Sequence, residues 1–142
     1  EYQKLDIYKR ISTIETDEEY MDMQDELLDR FGDIPKSVEN LLKIAMVRAL
    51  AHRAYVTEVF VNRQEIRLTM YQKAKLDVTR IPDFVQSYKG ELKLVPGETP
   101  VFHYVDRKNK NSDSLIMLEK ARTMLEQLGK LGQKEPGGNG AD

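Results

Sequence analysis

The spacing of apolar residues changes near Ala54, where a helical part of the chain gives way to a part that is rich in predicted strands. Up to about Ala54, apolar residues recur at every third or fourth position, which is the spacing of one helix face. We predict helices over about residues 4–13, 16–31 and 35–54. Consecutive helices with short connections pack side by side, so this part is predicted to be a compact cluster of three helices.

Beyond Ala54 the chain is rich in β-forming residues, and its apolar and polar residues alternate as in half-buried strands. The predicted strands are Val56–Val61, Glu65–Tyr71, Leu92–Val95 and Val101–Val105. The segment between the first two strands, Asn62–Gln64, is short enough to be a hairpin loop. Strands joined in this way are predicted to form a small, mainly antiparallel sheet.

Two further helices are predicted around this sheet. A short helix opens at Pro82 and extends through Tyr88, ended by Gly90, and an amphipathic helix follows a cap at Asn111 or Ser112. The predicted fold class is therefore α+β: an N-terminal helical cluster of three helices, the small antiparallel sheet with an inserted short helix, and a C-terminal amphipathic helix.

The second predicted helix has clear end signals and an unusual charge. Thr16 and Glu19 are spaced as a capping box, and Gly32 suits a left-handed C-terminal cap before Pro35 opens the next helix. The segment from Glu15 to Arg30 contains eight acidic residues and one basic residue, Arg30. Its net charge is therefore −7, in a chain whose total is −2. The buried stripe is predicted from Tyr20, Leu27, Leu28 and Phe31, with Met23 or Gln24 between them.

Four of these acids share one helix face, because they are spaced at i, i+3, i+4 and i+7: Asp22, Asp25, Glu26 and Asp29. One interpretation is an ordinary solvated face. The other is a docking surface for an arginine-rich partner, since carboxylates bind guanidinium groups through paired, charge-assisted hydrogen bonds. The residues alone leave both interpretations open.

The chain lacks the usual signatures of an enzyme or a metal site. It has no cysteine and no Gly-rich phosphate loop, and its two histidines, His52 and His103, lie in different predicted elements. An acidic face in water also gives no reason for the raised pKa that an acid–base catalyst needs. We therefore predict no catalytic residues, no bound cofactor and no metal in this chain.

The predicted environment is the cytoplasm. No apolar run is long enough for a membrane span, no signal peptide is visible, and the absence of cysteine fits a reducing compartment. The slightly negative charge predicts no strong general attraction to nucleic acid. Basic residues at 107–110, with Lys73, Lys75 and Arg80, are predicted to be solvated, and a weak phosphate contact stays open.

Four segments resemble the C-terminal domain of bacterial transcription-repair coupling factors (Mfd): Leu5–Ile11, Asp25–Gly32, Ile34–Pro35 and Val38–Ala45. The close match covers roughly the first 50 residues, and a looser match in pattern and length runs to about residue 128. The most specific piece is Glu-Leu-Leu-Asp-Arg-Phe-Gly in the second helix. Relatives usually place a glycine before the first strand, where this chain has Ala54-Tyr55, and this departure leaves the local turn open.

The resemblance implies that residues 1–130 are a single regulatory domain at the end of a larger protein, followed by a disordered tail over 131–142. The start at Glu1, without an initiator methionine, agrees with a fragment. The parent would be an ATP-driven DNA translocase that pushes stalled RNA polymerase from damaged DNA and recruits UvrA. ATP and Mg²⁺ would bind in its motor domains and not here.

In the family, this domain docks on the N-terminal UvrB-like module of the same polypeptide and masks UvrA binding. The resemblance places that contact on Glu26 and Asp29, whereas Asp22 and Asp25 are candidates because they share the face. Leu27, Leu28 and Phe31 would hold the helix that presents them. Two alternatives stay open: an adaptor whose acidic helix binds an external basic partner, and a weak accessory DNA-binding module.

Overall fold

A computed structural model describes residues 2–74, 77–107 and 113–131 of the chain. It contains α1 (Tyr2–Ser12), α2 (Asp17–Phe31), α3 (Lys36–Arg53), β1 (Val56–Val61), β2 (Glu65–Met70), α4 (Ile81–Gln86), β3 (Leu92–Val95), β4 (Val101–Val105) and α5 (Ser114–Lys130). The predicted α+β class and its order of elements are confirmed. The residues group into two compact units, Glu1–Leu50 and Ala51–Asp142. The single regulatory domain stays a prediction.

The first unit is built by α1, α2 and the larger part of α3 around an aliphatic core. Buried side chains from all three helices and the α1–α2 connection form it: Ile7, Ile11, Ile14, Met23, Leu27, Val38, Leu42 and Ala45. At the end of α1, the backbone carbonyl of Ser12 accepts a 2.7 Å hydrogen bond from Arg48 on α3. The helices of this unit are therefore held by apolar burial, with polar contacts at its edge.

The predicted ends of α2 are confirmed. The Thr16 hydroxyl accepts a 3.0 Å hydrogen bond from the Glu19 backbone amide, and the Glu19 carboxylate accepts one from the Thr16 amide at 3.2 Å. At the other end, Gly32 has a φ of +72° and donates to the Leu28 carbonyl. This conformation costs little for glycine, and it ends α2 before Pro35 leads into α3.

The second unit contains a four-stranded antiparallel sheet in the order β1-β2-β4-β3. Alternate residues of β2 and β4 are buried, among them Ile66, Leu68, Phe102 and Tyr104. Helix α5 contributes the apolar face predicted from its sequence: Met117, Ala121, Met124, Leu125 and Leu128. The strand alternation and the helical stripe thus meet in one core.

An aromatic cluster links α4 and the turn after it to the sheet. The Phe84 ring makes edge contacts with Tyr88 and Phe102, and Tyr88 makes an edge contact with Tyr104 at 6.0 Å. Burial raises the pKa of Tyr88 to about 12. Burial, assisted by the nearby Glu91 and Asp106 carboxylates, raises the pKa of Tyr104 to about 12 as well. Both tyrosines are therefore neutral hydroxyl donors at physiological pH.

Two local predictions in the second unit need correction. Helix α4 ends at Gln86, and Tyr88 lies in the turn that follows, because the backbone turns left-handed at Lys89 (φ +54°) and Gly90 (φ +89°). The cap of α5 is Asp113, which accepts from the Leu115 amide at 2.8 Å.

The sequence predicts a disordered tail over residues 131–142, and this stays a prediction. Leu131 is buried, and its carbonyl accepts from the Asp77 amide. The predicted caps Asn111 and Ser112 and the remaining tail, residues 132–142, lie outside the described residues. In the ranges that are described, no helix combines the length and apolar character that crossing a bilayer requires.

Tyr55 connects α3 to β1 in a left-handed conformation, with a φ of +62°. It belongs to the Ala54-Tyr55 pair, where the resemblance leads one to expect a glycine. Its backbone is held by hydrogen bonds on both sides, from its own amide to the His52 carbonyl and from the Tyr71 amide to its carbonyl. A residue with a β-carbon is strained in this conformation, by roughly 1–3 kcal/mol.

Replacing Tyr55 by glycine is therefore expected to raise the free energy of unfolding by about 1 kcal/mol, after the entropic cost of glycine in the unfolded chain. Urea denaturation followed by circular dichroism measures it. Tyr71→Gly is the matched control, because Tyr71 is also an exposed tyrosine but has no positive φ. That control is expected to lose stability, and a loss in both variants would contradict the strain at Tyr55.

Candidate docking surface

The four predicted acids lie on α2, but they do not have equal surroundings. Asp22, Asp25 and Asp29 are exposed, whereas the Glu26 side chain is about one-third exposed, at 34%. The core side of α2 is formed by Met23 and Leu27, which at 100° per residue leaves Asp25 and Asp29 pointing away from the core. We call these four residues the acidic face of α2.

Glu26 already has an arginine partner inside the unit. The Arg10 guanidinium on α1 donates to both carboxylate oxygens of Glu26 at 2.5 Å, and the Arg30 guanidinium lies 3.8 Å from the same carboxylate. The Arg10 hydrogen bonds, with the charges of Arg10 and Arg30, hold the pKa of Glu26 below its usual range. Glu26 therefore joins α1 to α2 and stays ionised at neutral pH.

Within the ranges that the structure describes, the other three acids have no such partner. None of Asp22, Asp25 and Asp29 forms an ion pair with a residue of the described ranges. Asp25 and Asp29, with Glu26 and Leu28, line a shallow depression on the helix. A cation entering this depression would meet three carboxylates, so the surface can bind a guanidinium group by charge-assisted hydrogen bonds.

The predicted buried stripe of α2 is partly wrong. Leu27 is buried at 1% exposure, as predicted, and Met23 is buried beside it. Leu28 and Phe31 are exposed, at 46% and 48%, so they do not support the helix within this unit. Met23 and Leu27 occupy the side of α2 that packs into the core of this unit, and Leu28 and Phe31 lie outside that core.

These exposed apolar residues change the character of the surface. Met21, Leu28 and Phe31 are large, exposed and carried by the same helix as the acids. Exposed apolar side chains beside charged ones are typical of protein–protein interfaces, whereas isolated ones are ordinary. The surface therefore combines carboxylates for specificity with apolar area that gains free energy when a partner covers it.

Sequence reasoning missed Arg10. It lies sixteen positions before Glu26, and only the packing of α1 against α2 brings the two together. A weak signal was available, because Arg10 stands in the last turn of α1 beside Lys9. In the described residues no group of three side chains could hold a metal ion.

Arg10→Gln is expected to move the pKa of Glu26 back up towards its ordinary value, since the hydrogen bonds and charge of Arg10 lower it. A lowered folded pKa means that the pair stabilises the protein above the ordinary glutamate pKa and loses this effect as the pH falls through the folded pKa. NMR titration of the Glu26 side-chain carboxyl carbon measures the shift. Lys9→Gln, which removes a neighbouring charge on α1, is the control, and equal shifts in both variants would contradict a specific pair.

Comparison with known proteins assigns this helix pair and its surroundings to a family. The model of the TRCF domain matches residues 1–81. The chain belongs to the TRCF domain family. This match covers all of α1, α2 and α3, together with β1 and β2.

The similar curated proteins are transcription-repair-coupling factors. The chain is 37% identical to that of Bacillus subtilis over 76 residues, which is 54% of this chain and 6% of the relative. It is 25% identical to that of Myxococcus xanthus over 127 residues, 89% of this chain and 10% of the relative. The chain thus spans a tenth or less of the length of these relatives.

A solved structure described as the C-terminal domain of transcription-repair coupling factor shares the fold. The TM-score is 0.70 at 23% identity, over 93% of this chain and 82% of that one. The chain therefore shares the fold of that C-terminal domain.

Proposed function

We propose that this chain is the non-catalytic C-terminal regulatory domain of a transcription-coupled DNA repair translocase, and that it acts as an autoinhibitory latch. It docks on the N-terminal UvrB-like module of the same polypeptide and covers the surface that binds UvrA. The observation that supports this most is the acidic face of α2, where Asp25 and Asp29 are exposed and form no ion pair within the described residues.

The expected counterpart is a pair of arginines on the UvrB-like module. Asp29 is free to receive one guanidinium group directly. At Glu26 the incoming arginine shares the carboxylate with Arg10, which already donates to both oxygens. A carboxylate has about four acceptor positions, so sharing is feasible, but repulsion from Arg10 lowers the gain. Asp29 is therefore expected to contribute more to docking than Glu26.

Modest affinity is sufficient for an internal latch. Ion pairs lose much of their Coulomb attraction to desolvation when they are buried. Tethering in one polypeptide raises the effective concentration to roughly the millimolar range, so even a micromolar contact stays closed. Opening then costs a few kcal/mol, which engagement of RNA polymerase or strain from the ATP- and Mg²⁺-dependent motor on DNA can supply.

Calorimetric titration of this chain with the separately expressed UvrB-like module tests the docking step. We expect binding that weakens markedly from low to physiological salt, because exposed charges are screened. Absence of binding at high micromolar concentration, at both salt concentrations, would remove the basis of the proposal.

The exposed Met21, Leu28 and Phe31 favour a second candidate, a protein–protein adaptor with an external partner. The adaptor requires that another protein bind the same face in competition with the UvrB-like module. A pull-down with this chain as bait, to which the UvrB-like module is added in excess, separates the two candidate functions. The module displaces an external partner only if both bind α2. In both proposals the protein acts in the cytoplasm.

A further inference from the structure

A second charged site lies in the unit formed by residues 51–142, away from α2 in sequence. A pocket of about 570 Å³ opens there between the turn after α4, the end of β4 and the side of α5. Its lining includes Lys89, Arg107, Lys120, Glu91, Tyr88 and Gln127. We propose that this pocket binds a phosphate group, carried by a nucleotide or by the backbone of a nucleic acid.

The charge in the pocket is unbalanced. It has three cationic side chains, Lys89, Arg107 and Lys120, and of the described residues that line it only Glu91 is acidic. Glu91 accepts a hydrogen bond from the Tyr104 hydroxyl at 3.4 Å. None of the three cations forms an ion pair with a carboxylate in the part of the chain that the structure describes. With Glu91 included, the described lining has a net charge of +2, which favours the binding of an anion.

The fold brings these cations together from separate elements. Lys89 stands in the left-handed turn after α4, with φ values of +54° at Lys89 and +89° at Gly90. Arg107 lies just beyond the end of β4. On α5, Lys120 places its ammonium group 5.1 Å from the Tyr104 ring centroid and 5.9 Å from that of Tyr88. These cation–π contacts hold the Lys120 charge at the pocket and not in open solvent.

The remaining groups suit a phosphate better than a monovalent anion. A phosphate has several acceptor oxygens, which can receive the guanidinium fork of Arg107 and the ammonium of a lysine at the same time. The Tyr88 hydroxyl donates to the amide oxygen of Gln127 at 2.5 Å, which leaves the amide nitrogen of Gln127 as a further donor.

The test is an NMR titration of amide resonances of the chain with pyrophosphate. We expect saturable shifts at Lys89, Gly90 and Lys120 at millimolar pyrophosphate, and binding at least about tenfold weaker in Arg107→Gln/Lys120→Gln. Arg107→Gln alone, an exposed side chain without a described partner, is also expected to weaken binding, and it protects the result against misfolding of the double variant. The control is Arg63→Gln/Lys93→Gln, with the same loss of charge at exposed positions outside the pocket.

Two further arms distinguish the source of the phosphate. Adenosine monophosphate and a single-stranded oligonucleotide are titrated under the same conditions, and the one that binds more tightly than pyrophosphate through the same amides identifies the ligand class. The proposal is overturned if pyrophosphate leaves these amides unshifted. Equal weakening in the pocket variant and the control variant would also overturn it, since this would indicate diffuse attraction by surface charge.

Discussion

Leu27→Ala is expected to lower the free energy of unfolding by about 3 kcal/mol, because it truncates the most deeply buried side chain of α2. Leu27 is 1% exposed and lies in the core of the first unit among residues from α1 and α3. Truncation removes its buried methyl groups and leaves a cavity that rigid helices fill only in part. Chemical denaturation followed by circular dichroism measures the loss.

Leu28 offers a matched control for this prediction, because it is the same residue type one position further along the same helix. At 46% exposure, Leu28→Ala is expected to change the free energy of unfolding by no more than about 0.5 kcal/mol. The difference between the two variants measures which side of α2 faces the core. Equal losses would mean that α2 presents a different side to α1 and α3.

Replacing Glu26 and Asp29 together by alanine is expected to weaken docking on the UvrB-like module by roughly 100-fold, while the domain stays folded. A combined loss of about 3 kcal/mol, with the larger share from Asp29, accounts for a change of this size. Folding is spared because both side chains are at the surface, and the Arg10 charge that loses its partner is exposed to water. Calorimetric titration measures the affinity, and circular dichroism confirms the fold.

The charge control for this double variant comes from the second unit. Glu58→Ala/Glu126→Ala removes the same two charges at exposed positions on β1 and α5. It is expected to retain wild-type affinity. If it weakens docking as much as Glu26→Ala/Asp29→Ala does, the attraction is a general effect of net charge, and the acidic face of α2 has no special part in it.

Local signals in the sequence predicted most of the fold. The capping box at Thr16, the left-handed Gly32 and the strand alternation around Ile66 and Leu68 each depend on residues close together in the chain, and all were confirmed. The cap of α5 was misplaced to Asn111 or Ser112 because Asn, Ser and Asp are all good caps, and Asp113 is the one used.

Contacts between distant residues could not be predicted in the same way. The helical spacing of α2 is compatible with a buried face that includes Leu28 and Phe31 or with one centred on Met23 and Leu27. The structure has the second, together with the Arg10–Glu26 ion pair. The pocket with Arg107 and Lys120 was missed for the same reason, because Arg107 appeared in the sequence only as part of a solvated basic loop. Charges from separate elements converge only once the sheet and α5 are packed together.

The most direct test of the latch is the affinity of the full-length parent protein for UvrA, with and without Glu26→Gln/Asp29→Asn. These substitutions keep the shape of both side chains and remove their charge. If the domain covers the UvrA-binding surface, the variant binds UvrA at least about tenfold more tightly, because the closed state loses its stabilising ion pairs. Unchanged UvrA affinity in a folded variant would contradict the account.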